Sequence, residues 1–170
     1  PGAARVRVTS ALRERELPEA FLPAVSAEAE PFGREVPAEA MAGRRTLFHL
    51  PVCTIDGADA KDFDDAVSLE PLGAGRWRLG VHIADVSWYV RPGSGLDHEA
   101  YRRATSVYLP DRVVPMLPPG LSDNLCSLMP DVERLTLSTF IDLGEDGRGH
   151  GTSEAETVIK SARRFTYEEV

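Results

Sequence analysis

The sequence predicts an α+β fold built on a mixed, mainly antiparallel β-sheet with helices packed against it. Three observations point there: strand-length apolar segments after Leu50, a glycine-centred hairpin at Gly73-Ala74-Gly75, and a capped helix after Gly93-Ser94-Gly95. With 170 residues, 42% hydrophobic and 27% charged, the chain can bury a core of its own, which excludes a disordered polypeptide.

Residues 1–48 read as a connector with short helices. They are rich in Glu, Ala and Pro, and Pro18, Pro23, Pro31 and Pro37 divide them into short pieces. Phe21, Leu22 and Val25 fall at helical spacing, so a short amphipathic helix is expected there, docked on a neighbouring domain.

From residue 49 onward the pattern turns β-like. Val52 to Ile55 reads as one strand, and Ala66 to Glu70 with Trp77 to Ile83 reads as a hairpin. Ser94 as N-cap, with Asp97 at the N3 place, approximates a capping box and predicts a helix over about 96–105. Pro110 to Pro119 is dense in proline and is expected to be extended loop. Leu135 to Leu143 and Glu156 to Ser161 read as two strands joined across residues 144–149. Thr166 with Glu169 completes a second capping box, so a helix is expected to start there, in a longer polypeptide of which these residues are an excerpt.

The longest apolar stretches, such as Leu79 to Ala84, are far short of the ~20 residues of a membrane span. Cys53 and Cys126 are the only cysteines and lack metal-type pairing, and no basic-then-apolar leader opens the sequence. A cytoplasmic setting without a membrane partner is the expectation. The net charge of −8, taken alone, disfavours a long electrostatic footprint on nucleic acid. That objection weakens if many of the carboxylates bind cations, or if the basic surface lies elsewhere in the protein.

The segment richest in chemistry is Thr54 to Ala66, with Asp56, Asp59, Asp62, Asp64 and Asp65 inside ten residues. Packed carboxylates stay solvated, raise their pKa values, or bind a cation. Ile55, Phe63, Ala66 and Val67 are apolar and favour a partly buried segment over a solvated acidic turn, the usual fate of an acidic run. Asp62 and Asp64, two apart, point the same way in an extended backbone, while Asp65 is aimed elsewhere. Gly57 lets the backbone turn so that Asp56 can fold back towards them. An all-oxygen set suits Mg²⁺ or Mn²⁺. The EF-hand pattern fails, because Ala66 and Val67 stand where a ligand and a glycine are required when the loop starts at Asp62.

This segment resembles the signature of the RNB catalytic domain shared by ribonuclease II, ribonuclease R and the eukaryotic exosome nuclease. Val81 to Ser87, Ser106 to Pro110, Val114 to Pro118, Leu121-Ser122, Leu125 to Leu128 and Ser161 to Val170 match the same family in the same order. The resemblance implies an RNB-like fold, with residues 49–170 forming the N-terminal half of that domain behind an upstream OB-type domain. It implies that Asp56 and Asp65 help hold a catalytic Mg²⁺, with Mn²⁺ possible. Asp62 and Asp64 then complete the metal-binding set as the catalytic pair, Asp64 being the one whose loss most damages chemistry. Tyr108 matches the aromatic residue that stacks near the scissile 3′-terminal nucleotide.

The activity implied is hydrolytic, processive, sequence-nonspecific 3′→5′ release of nucleoside 5′-monophosphates from single-stranded RNA. The remaining domains of the polypeptide would be partners, because the family's downstream arginine, acid and second aromatic clamp cannot be placed in these residues. The excerpt alone is expected to be inactive. The alternatives are a catalytically silent RNA-binding or scaffolding relative, and a simple cation-binding module. His82 with Asp85 reads as a structural hydrogen-bonding pair and Cys126 as a buried apolar residue. Arg102, Arg103 and Arg112 are candidates for phosphate contacts, although a solvated helix face accounts equally well for the first two.

Overall fold

Alternating burial along the strands sets the architecture. In the computed structural model, which describes Ser10, Leu12, Glu14 and residues 18–170, nine strands follow one another along the chain. They are β1 (Arg45–Thr46), β2 (Cys53–Asp56), β3 (Asp65–Gly73), β4 (Arg76–Ala84), β5 (Val107–Leu109), β6 (Arg112–Val114), β7 (Glu133–Leu143), β8 (Gly149–Lys160) and β9 (Arg163–Thr166). Seven of them form one sheet in the order β1-β8-β7-β4-β3-β2-β9, and β5 and β6 make a separate hairpin. The outer pairs β1 with β8 and β2 with β9 are parallel, and the pairs between them are antiparallel. The sheet is therefore mixed and mainly antiparallel, with short helices packed on it.

The β3–β4 hairpin forms where the glycines predict it. Gly73, Ala74 and Gly75 all have positive φ, at 81°, 51° and 69°, the conformation that a tight hairpin turn demands. The Gly95–Arg103 helix is capped as expected: Ser94 accepts from the Asp97 N–H at 3.1 Å, and the Asp97 carboxylate accepts from the Gly93 N–H.

Four local expectations change. The Pro110 to Pro119 stretch contains β6, because Arg112, Val113 and Val114 carry the backbone N–H groups that the flanking prolines lack and can close a ladder on β5. β8 begins at Gly149 and not near Glu156. Its first residues are polar and exposed, yet their backbone pairs with β7 in register, Phe140 against Ser153 and Thr139 against Glu154. The expected helix over Phe21, Leu22 and Val25 is Pro23–Ala29, started by proline at its first turn, with Leu22 60% exposed outside it. It docks on the Gly95–Arg103 helix: Glu28 accepts from the Gly95 and Leu96 N–H groups, and the Arg103 guanidinium lies 3.8 Å over the Phe21 ring. At Thr166 only the reciprocal half of the capping box is present, the Glu169 carboxylate accepting from the Thr166 N–H, and residues 167–169 form a turn.

The core joins both parts of the sequence. Val25, Val36, Ala40 and Leu47, from the stretch read as connector, pack in one cluster with Val52, Phe63, Tyr89, Leu121, Leu128, Leu135 and Val158. Within it runs a polar seam. His82 is wholly buried and bridges Ser68 on β3 at 2.9 Å and Ser138 on β7 at 2.7 Å, and the seam continues through Thr157 on β8 to Thr136. Hydroxyls both donate and accept, so either tautomer of the ring is satisfied. A Cβ at Gly80, opposite Ser68, would lie 2.5 Å from the Ser68 hydroxyl and 2.8 Å from the imidazole, so glycine leaves room for this contact. The expected pairing of His82 with Asp85 does not form. Asp85 is bound instead to Arg44 at 2.5 Å and to Ser87.

Burial pushes the His82 pKa down to about 4. Between pH 6.5 and 4 the unfolded chain therefore binds a proton that the folded one refuses, so stability falls as the solution is acidified through that window. The full effect is roughly 3 kcal/mol. Urea titrations of the wild type and His82→Gln at pH 7.5 and pH 4.5 check this, and the acid-dependent loss should be markedly smaller in the variant.

Candidate metal centre

The acidic loop lies between the end of β2 and the start of β3, beside β9 and the end of β4. Asp56 closes β2 and Asp65 opens β3, so the two carboxylates sit at the two feet of the loop. Between them the Ala60 N–H closes a turn on the Gly57 carbonyl, and Phe63 is buried in the core; Gly57 lacks the positive φ expected of a glycine-dependent turn and has open space for a Cβ, so the turn does not need glycine there. Each further stretch of loop is tied to the scaffold. The Arg164 guanidinium on β9 donates to the Gly57 and Ala58 carbonyls, both at 2.7 Å, and lies 4.9 Å over the Phe63 ring. Ser127 donates to the Lys61 carbonyl at 2.7 Å and accepts from the Phe63 N–H at 3.1 Å. The Leu128 N–H reaches the Phe63 carbonyl, and the Ala84 N–H reaches that of Asp64.

This folding brings four of the five aspartates within electrostatic reach of one another. Burial and the carboxylates of Asp62, Asp65 and Asp56, in that order, push the Asp64 carboxyl up to about 6. Burial and then Asp65 raise that of Asp56, with Asp62 adding to the shift; the nearby Thr54 hydroxyl and Arg164 act in the opposite direction, but neither completes a hydrogen bond to Asp56 Oδ2. Asp62 and Asp64 both line a cleft of about 260 Å³ with Ile83, Ala84, Val86 and Met116 among its walls, and Cys126 beside it is buried as expected. Asp65 is not part of that lining, as the strand-like alternation anticipated. Asp59 is exposed on the loop.

Tyr108 stands on β5, 62% exposed, and its hydroxyl donates to Asp62 Oδ2. That bond, with burial and the Asp62 charge behind it, raises the Tyr108 pKa to about 12, so the phenol stays protonated. Residues 46 positions apart in sequence therefore meet at one carboxylate. Arg103 is buried against Glu99 and the Ala20 and Pro115 carbonyls, not solvated as expected, and Arg112 is paired with Glu19 and Asp111. Sequence reasoning missed Arg164 and Ser127, whose contribution lies in the backbone groups they hold. The only available signal was their place inside matching stretches.

The donors present fit a hard divalent cation. They are all carboxylate oxygens, Asp56 Oδ2 is buried with no hydrogen-bond partner, and nothing among the described residues donates to the Asp64 carboxylate. Among the described residues no three acidic, histidine or cysteine side chains stand together closely enough to hold a metal ion by themselves. Mg²⁺ commonly uses few carboxylates together with water and substrate oxygens.

Comparison with known proteins shows the family and the fold. Residues 44–170 match the RNB domain family. Over 163 residues the chain is 50% identical to Ribonuclease R of Escherichia coli (strain K12), an alignment covering 96% of this chain and 20% of that protein. The chain spans about a fifth of the length of the curated relatives it matches. The solved structure of Mycoplasma genitalium RNase R in complex with ribose methylated single-stranded RNA superposes with a TM-score of 0.89 at 31% identity, covering 97% of this chain and 26% of that one. Yeast Ssd1, a pseudonuclease, superposes at 0.71 with 27% identity over 80% of this chain and 17% of its own.

Because the folded pKa of Asp64 is raised, its ionised form costs stability at neutral pH, and that cost disappears as the pH falls through about 6 towards the ordinary carboxylate range. In buffer freed of divalent ions, Asp64→Asn should raise the Tm at pH 7.5 and leave it nearly unchanged at pH 4. Added Mg²⁺ should raise the Tm of the wild type more than that of the variant, as thermal melts would read.

Proposed function

The chain belongs to the RNB domain family of the ribonuclease R and II kind, and from that premise we propose that it forms part of a hydrolytic 3′→5′ exoribonuclease. The reaction is processive and sequence-nonspecific, acts on single-stranded RNA and releases nucleoside 5′-monophosphates. The observation that carries the proposal is the Tyr108 hydroxyl on Asp62, which puts a solvent-facing aromatic ring at the rim of the acidic centre. A grip on the terminal base and a set of carboxylates for the adjoining phosphodiester thus occupy one place.

The family's Mg²⁺ fits the carboxylates of Asp56, Asp62, Asp64 and Asp65, and when bound it supplies a water of lowered pKa and charge stabilisation at the phosphoryl oxygens. The chain's own residues do the rest. Tyr108 offers a ring face that accepts any base, and β5 carries the ring beside the cleft, where its hydroxyl meets Asp62. Ile83, Ala84, Val86 and Met116 give the cleft apolar walls beside Asp62 and Asp64, and the Ser106 and Ser122 hydroxyls also line it. Asp64, with no donor among the described residues, keeps both oxygens available to orient water at the scissile bond. Arg164 and Ser127 hold the backbone on which these carboxylates stand.

With 5′-labelled single-stranded RNA and Mg²⁺, the full-length protein should shorten the strand from its 3′ end. Asp64→Asn should lose on the order of 10²–10³-fold in kcat or more. Equal rates in both proteins would remove the proposed mechanism, and binding without shortening would mark a catalytically silent relative. Tyr108→Ala should weaken strand binding by about 1–3 kcal/mol, whereas Tyr108→Phe keeps the ring and should bind nearly as the wild type. Fluorescence anisotropy with a labelled oligonucleotide separates the two.

A further inference from the structure

The acidic loop carries like charges yet keeps one shape, and a single buried hydroxyl holds its centre. Ser127 is 0% exposed. Its Oγ donates to the Lys61 carbonyl at 2.7 Å and accepts from the Phe63 N–H at 3.1 Å. These two backbone groups flank Asp62 on either side, and Phe63 immediately precedes Asp64.

Ser127 is itself locked from behind. Its N–H donates to the Asn124 carbonyl, and its carbonyl accepts from the Met129 N–H and from the Arg134 guanidinium at 2.9 Å. Arg134 is buried on β7 and also holds the Asn124 side chain at 2.8 Å. A rigid path therefore runs from the central sheet, through the Leu121–Leu125 turn, to the backbone of the loop.

We propose that Ser127 is a positioning residue for the acidic centre, fixing Asp62 and Asp64 through the backbone on both sides of Asp62. The assignment rests on the nuclease reading above. Only a group that donates and accepts at one atom can serve both backbone partners, and a hydroxyl is the smallest side chain that does. Removing it leaves the Phe63 N–H buried without a partner and frees the Lys61 carbonyl, so the loop relaxes under the repulsion of its own carboxylates. The ring of Tyr108, carried by β5, keeps its place. Ser127 should therefore govern turnover and metal affinity, and not the grip on RNA.

The test compares full-length wild type, Ser127→Ala and Ser127→Cys with Ser138→Ala, which deletes an equally buried hydroxyl from the His82 seam and leaves the loop untouched. Ser127→Ala is expected to lower kcat and raise the half-saturating Mg²⁺ concentration, each by roughly 10–100-fold, the range for outer-shell partners of metal ligands. KM for RNA should stay within about twofold, since the backbone-held ring grip is unaltered. Ser127→Cys, whose thiol donates and accepts weakly, should fall between the two and carries the test if the alanine variant does not fold. Ser138→Ala should lose stability with kcat and Mg²⁺ dependence unchanged.

An active wild type with kcat and Mg²⁺ dependence unaltered by the folded Ser127 variants overturns the positioning role, as does an equal loss of kcat in Ser138→Ala. A wild type without nuclease activity overturns the nuclease reading instead. Mn²⁺ binding followed by electron paramagnetic resonance then decides the positioning claim by itself: weaker binding in Ser127→Ala supports it, and equal binding removes it.

Discussion

Four carboxylates that repel one another are held within ten residues, from Asp56 at the end of one strand to Asp65 at the start of the next, and the rest of the structure is arranged around keeping them there. Two unit charges about 4 Å apart near a protein surface repel by roughly 4 kcal/mol, so a loop carrying four of them opens unless its backbone is tied down. The ties come from every side: Arg164 on β9, Ser127 and Leu128 after the Leu121–Leu125 turn, Ala84 at the end of β4, and Phe63 pressed into the core. All but the Phe63 contact bind the main chain and leave the carboxylates themselves untied. This division leaves Asp64 raised to about 6 and Asp56 with an unpartnered oxygen, a state that a divalent cation relieves.

The sheet that supplies those ties also encloses the polar seam through His82. The register of β3, β4 and β7 is set by their own backbone ladders, and the ring hydrogen-bonded at both nitrogens to serines on the two flanking strands is satisfied by that register. β4 then delivers Ala84 to the Asp64 carbonyl, and β3 delivers Asp65 to the foot of the loop. The buried Arg44–Asp85 pair lies just beyond, bracing the turn that leaves β4. Burying an arginine and an aspartate together is seldom a large gain in stability. Its value here is geometric, since the Asp85 N–H is also tied to Leu135 on β7.

Much of this was legible in the sequence where local chemistry is decisive. The glycines at 73 and 75 fixed a hairpin because few residues accept positive φ, and Ser94 with Asp97 marked a helix start because those side chains cap N–H groups. The acidic cluster was legible because five aspartates among apolar neighbours need a cause. What sequence did not disclose depends on partners distant along the chain. β6 inside a proline-rich stretch exists because β5 lies beside it, and the polar half of β8 is a strand because β7 offers a ladder. His82 looked as though it belonged with Asp85, three residues on, but a strand turns its bonding partners sideways onto neighbouring strands. Arg103 looked solvated until Phe21, Glu99 and the Pro115 carbonyl enclosed it. Arg164 and Ser127 were invisible as site residues because backbone carbonyls leave no mark in a sequence.

The negative charge of the chain sits uneasily with a polyanionic substrate until its arginines are followed to their partners. Arg44 serves Asp85, Arg78 serves Asp142, Arg103 serves Glu99, Arg112 serves Glu19, and Arg164 serves the acidic loop. None of these five is surplus for phosphates, so on the proposed reading they add little to an ionic footprint on RNA. This part of the protein has two other means, a ring face at Tyr108 and a cation shared between carboxylates and phosphate. On that reading neither reads sequence. A site made this way favours chemistry at a terminus over tight binding along a strand, because its attraction for RNA is concentrated at the point where the bond is to be cut.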